Sequence, residues 1–75
     1  MAGDVKLTSR EIRILSAVDG HSRDIFDLSD HLGRNSSRTY HDCVALRERG
    51  LIDWMYVEDE MVLNNAGRAA LRSQP

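Results

Sequence analysis

Apolar residues along this chain recur every three or four positions up to Gly50, then alternate or run together from Leu51 to Leu63. The first spacing is that of helices with one buried face, the second that of short strands. Ile12, Leu15 and Val18, with Ile14 and Ala17 beside them, form the stripe of a first helix. Thr8-Ser9-Arg10-Glu11 opens it as a capping box: the Thr8 hydroxyl accepts from the third helical amide and Glu11 reaches back to the cap. Leu7 is placed as a hydrophobic staple on Ile12, and Asp19-Gly20 ends the helix.

A second helix is expected from Asp24 or nearby, after the polar turn His21-Ser22-Arg23, with Ile25, Leu28 and Leu32 inward and Gly33 as its stop. A third follows from about Ser36 to Arg49, capped by Asn35 or Ser36 and ended by Gly50. Its apolar side is Tyr40, Cys43, Val44 and Leu46, with Arg47 along the edge. The run Leu51 to Val57 is aromatic and β-branched, placing Ile52, Trp54 and Tyr56 on one face and Met55 and Val57 on the other. Glu58-Asp59-Glu60 interrupts it, and Met61-Val62-Leu63 returns to make a hairpin. Asn64 or Asn65 then caps a short helix, Ala66 to Arg72, with Ala70 and Leu71 its main apolar residues. The fold class is mainly α with a small β-hairpin.

Seventy-five residues build one domain, set at 8–72 with tails at 1–7 and 73–75. There is no repeat, and the one proline is the last residue. A single cysteine, Cys43, allows no internal disulfide and reads as a small buried apolar residue. No apolar run approaches the roughly 18 residues that cross a membrane. Met1 to Lys6 lacks the long apolar stretch of a secretory signal, so the expectation is a cytoplasmic protein without membrane contact.

Catalysis is not expected. In His41-Asp42-Cys43, successive helical residues point roughly 100° apart and cannot converge on one substrate atom. His21, His31 and His41 lack metal-ligand spacing, and no glycine motif cradles phosphate, so no metal or cofactor is expected.

Two helices joined by a tight glycine turn make a helix-turn-helix unit, and a hairpin directly after it is a wing. Asp27-Leu28-Ser29-Asp30-His31-Leu32-Gly33, Arg47-Glu48-Arg49-Gly50-Leu51-Ile52, and Asn64-Asn65-Ala66-Gly67-Arg68-Ala69-Ala70-Leu71 occur in that order. Together they resemble the winged helix-turn-helix regulators of bacteria and archaea, especially MarR-like and PadR-like ones. The resemblance implies a three-helix core, a wing and a short C-terminal helix, and a small transcriptional regulator that binds double-stranded DNA. Two features depart from that family. Its wing tip often carries basic residues where this chain has Glu58-Asp59-Glu60, and its long dimerisation helices have no counterpart here.

A recognition helix presents its N-terminal residues to base edges in the major groove. By position these are Ser36, Ser37, Arg38 and His41, with Asp42 and Ala45 further along. Arg38 has the planar fork that matches guanine, and Arg34 in the turn is placed for phosphate. Arg10, Arg13 and Arg23 are further phosphate candidates. Tyr40 offers a stacking face, but its spacing from Cys43 and Val44 puts it at the core edge. From Arg34 to Arg49 four arginines face two acids, a basic face on a chain of net charge −2. A homodimer is expected because one small module buries limited DNA surface.

The rival reading is a winged-helix protein–protein interaction module without DNA binding, as in a small viral or mobile-element protein. It uses the acidic wing together with Phe26, Trp54 and Met55, since adjacent exposed apolar residues mark contacts. Under the bland alternative Phe26 packs beneath the N-terminus and Met55 lies against the last helix.

Overall fold

The computed structural model describes residues 6–21 and 23–74. Ser22 of the polar turn, the start of the chain up to Val5, and Pro75 lie outside the described residues. In chain order the elements are α1 (Ser9–Val18), α2 (Ile25–Leu32), α3 (Ser36–Glu48), β1 (Ile52–Met55), β2 (Glu60–Leu63) and α4 (Asn65–Arg72). The protein is thus mainly helical with one antiparallel hairpin.

Side-chain caps fix where the helices begin. Thr8 accepts from the Glu11 amide at 3.1 Å while Glu11 accepts from the Thr8 amide at 2.9 Å, closing the capping box. Asp24 caps α2, Asn35 caps α3 and Asn64 caps α4, each with extended backbone and a side-chain oxygen on an amide of the first turn. Gly33 ends α2 at φ 65°, in the left-handed region that glycine enters without steric cost.

One core joins all the elements. Ile14, Leu15 and Val18 of α1 meet Leu28 of α2, Cys43 and Leu46 of α3, and Ile52, Trp54, Met61 and Leu63 of the hairpin. The hairpin pairs Ile52 with Leu63 and Trp54 with Met61 on its inner face, and Asp53 with Val62 and Met55 with Glu60 outside. Alternation along each strand therefore separates core from solvent, as period-two patterning requires.

Three details differ from the sequence reading. In α1 the buried set is Ile14, Leu15, Ala17 and Val18, and Ile12 lies at the margin. In α3 the buried set is Thr39, Cys43 and Leu46, whereas Tyr40 is exposed and Val44 only half-buried. Thr39 enters the core because its hydroxyl donates to the Asn35 carbonyl at 2.9 Å, leaving its methyl to pack. Leu7 packs against the core, and its amide donates to the Gln74 side chain at 3.4 Å, joining the two ends of the domain.

The third detail lies in the turn before α2. Arg23 exchanges two backbone hydrogen bonds with Met61, at 3.1 and 2.8 Å, and so adds a one-residue third rung to the hairpin. Its guanidinium donates to the Ala17 carbonyl at 2.6 Å and to Asp27 at 2.9 Å. This residue ties α1, α2 and the hairpin together, so it is not a free phosphate ligand.

Asp59 fastens the hairpin from the other side. At φ 49° it turns its carboxylate inward, where it accepts from the Ile25 amide at 3.1 Å and from the Trp54 indole N–H at 3.1 Å. Asp59→Ala leaves both donors without this partner. Because water reaches the half-buried site, the expected cost sits at the low end, about 1 kcal/mol. Asp59→Asn keeps an acceptor and tolerates the left-handed backbone, so it should lose less. Urea unfolding followed by Trp54 fluorescence measures both; equal loss in the two variants would contradict the role of the acceptor.

Candidate nucleic-acid interface

The Asn35 side chain starts α3 by accepting from the Ser37 and Arg38 amides at 2.8 and 3.3 Å. With Thr39, Cys43 and Leu46 turned into the core, helical geometry turns the opposite side outward. That side carries Ser37, Arg38, His41 and Ala45, all exposed. Among the described residues Arg38 has no ion-pair or hydrogen-bond partner for its side chain, which leaves the planar guanidinium free to meet a ligand.

The remaining predicted residues do something else. Asp42 is half-buried and forms ion pairs with Arg34 at 2.8 Å and Arg10 at 3.5 Å. The three residues come from α3, the α2–α3 turn and α1, so they brace the angle at which α3 leaves the turn. Asp42 is therefore placed as a brace for the helix, and Arg34 shares its charge with that carboxylate. Ser36 is half-buried at the first position of α3. Arg13 donates to the Leu32 carbonyl at 3.3 Å, and Arg49 pairs with Glu11 at 3.1 Å. Much of the basic excess counted in the sequence is thus spent inside the domain.

A ladder of rings joins α3 to the hairpin. Tyr40 meets Trp54 edge-on at 5.3 Å between centroids, and Trp54 meets Tyr56 at 4.7 Å. The Arg47 guanidinium lies 4.3 Å from the Tyr56 ring centre while its Nε donates to the Trp54 carbonyl at 3.1 Å. Edge-to-face pairs and a cation over a ring each add about 0.5–1.5 kcal/mol in such settings. The sequence reading did not find this ladder, although Tyr40 and Arg47 are seven residues apart and so share a helix face.

Of the three residues offered as partner contacts, two are open. Phe26 is 70% exposed and Met55 60% exposed, so Met55 does not pack away against the last helix, while the N-terminus offered as a cover for Phe26 lies, up to Val5, outside the described residues. Trp54 is only 4% exposed. Its indole spans the core edge between Tyr40 and Asp59, which removes it from any partner surface.

Cys43 sits in the core beneath this interface. Burial pushes its thiol up to about 12 from an ordinary 9.0, the Asp42 carboxylate adds to the rise, and Arg34 opposes it. The thiolate is the reactive form and the side chain is fully buried, so at pH 8 alkylation of the folded protein should be far slower than in urea. Equal rates would contradict the burial. An unfolded chain loses this proton first as pH rises. The stability linked to the group is therefore complete below pH 9.0 and is lost progressively towards 12.

Among the described residues no cluster of His, Cys, Asp and Glu could hold a metal ion, and no helix is long and apolar enough to cross a membrane. Compared with family models, curated proteins and solved structures, the chain matches none of them.

Proposed function

We propose that this chain is a winged helix-turn-helix domain that binds double-stranded DNA sequence-specifically, with the outer face of α3 in the major groove. It acts as a small cytoplasmic transcriptional regulator and pairs with a second copy on a two-fold site. The element order supports the fold reading: α1, the Arg23 rung, α2, α3, then a hairpin that receives that rung. The one-residue bridge at Arg23, between the first two helices, ties the hairpin to them and holds it in place.

One observation carries the functional reading. The outer side of α3 presents Ser37, Arg38, His41 and Ala45 on one open face, and among the described residues the Arg38 side chain has no hydrogen-bond or ion-pair partner. These are residues of the right reach and chemistry for base edges: a bidentate donor, a hydroxyl, an imidazole and a small apolar contact.

The exposed Phe26 and Met55, with a net charge of −2, favour a second reading in which the domain docks a protein and binds no DNA. Equilibrium binding to a pool of random duplexes across a salt series separates the two. The DNA reading expects affinity that falls steeply with salt and a sequence preference that survives it. A folded protein that binds no duplex at low salt overturns it and leaves the second reading.

A further inference from the structure

We propose that the hollow at the N-terminal end of α3 receives the C5-methyl group of a thymine, making Phe26 a specificity-determining residue. This rests on the reading of α3 as the element in the major groove. Phe26 follows Ile25 in α2, and the helical step between them turns Ile25 into the core and Phe26 outward. There it borders a hollow of about 290 Å³ whose other walls are Ile25, Ser36, Ser37 and Tyr40.

The position of this hollow limits what can enter it. Ser36 and Ser37 form the first turn of α3, the end that faces base edges when such a helix docks. In the major groove the bases present hydrogen-bond donors and acceptors, and the distinctive apolar group is the thymine methyl. Three apolar side chains at the reading end of the helix therefore have one apolar counterpart on a duplex. A neighbouring hollow, lined by Ile25, Tyr40, Trp54, Tyr56 and Asp59, contains a carboxylate and lies towards the wing. Its carboxylate suits it poorly to an apolar methyl group in the midst of base-edge acceptors, whereas the walls of the Phe26 hollow carry no charged side chain. The exposed ring then has a use: it is covered when the duplex arrives.

Replacing thymine by uracil removes only the methyl group and keeps the base pair. The test takes the duplex recovered by selection from a random pool and replaces each thymine by deoxyuridine in turn. For the unaltered protein one or two positions should each lose about fourfold in affinity, the value of one buried methyl. Phe26→Ala should bind the thymine and uracil duplexes equally, and Phe26→Leu, which keeps an apolar wall, should restore the difference. Phe26 is exposed, so both variants should melt as the parent does. Specific binding with no uracil penalty at any position, or a penalty that persists in Phe26→Ala, overturns the methyl site alone. A selection that recovers no preferred duplex overturns the α3 reading and this inference with it.

Discussion

Gly67→Ala is expected to destabilise the protein by about 2 kcal/mol or more, although alanine is the better helix former. Gly67 is the third residue of α4 and is buried. A Cβ there would run into the carbonyl oxygen of Leu51 and the Leu63 side chain. Intrinsic propensity favours alanine by about 1 kcal/mol. Overpacking against a core costs about 1–3 kcal/mol and sometimes more. The upper end applies here, because the obstacle is a backbone oxygen that cannot rotate away. The sum is a fall in melting temperature of roughly 8–16 °C for a domain of this size. The exposed neighbour gives the control: Ala66→Gly should cost only the propensity difference, about 1 kcal/mol. A Gly67→Ala protein that melts higher than the parent would mean that α4 does not rest on Leu51.

Arg38→Ala is expected to weaken binding to the preferred duplex by about 1–3 kcal/mol, roughly 5- to 150-fold, and to relax preference at one base pair. The side chain is exposed and, among the described residues, has no hydrogen-bond or ion-pair partner, so the variant's melting temperature should change little. The loss on DNA would then belong to recognition alone. Arg38→Lys keeps the charge but not the planar fork, so it should recover affinity for random duplex while the base preference stays relaxed. Uniform weakening on all sequences would assign Arg38 to phosphate. Unchanged affinity would remove it from the interface.

Helix starts were legible in the sequence because the caps are local. Thr8 with Glu11, Asn35 and Asn64 each satisfy amides within three residues of themselves, so composition and spacing suffice. Strand faces were legible for the same reason, since alternation through Ile52 and Trp54 is a local pattern. What escaped was long-range or hidden in a polar residue. Thr39 reads as surface until its hydroxyl is seen to bond the Asn35 carbonyl. Asp59 reads as a wing-tip charge until its carboxylate is seen on Ile25 and Trp54, 34 and 5 residues away. Arg23 is one polar residue in a turn, and a one-residue rung leaves no pattern to read.

The candidate interface divides in the same way. The outer face of α3 follows from helical period, and Ser37, Arg38, His41 and Ala45 are exposed on it. The commitments of the charged residues do not follow from period. Asp42 meets Arg34 across a turn and Arg10 from another helix, and only the folded packing brings them together. Trp54 shows the opposite error. Met55 beside it and Val57 in the following turn are exposed, but its own side of the strand faces the core.

The most direct test of the central claim is to titrate the ¹⁵N-labelled protein with the selected duplex and map the amides whose shifts move. The account predicts the largest changes at Ser37, Arg38, His41 and Ala45, with smaller ones near Arg47 and little at α4. Large changes confined to α4 or to the outer face of the hairpin, or none anywhere at saturating duplex, would contradict it.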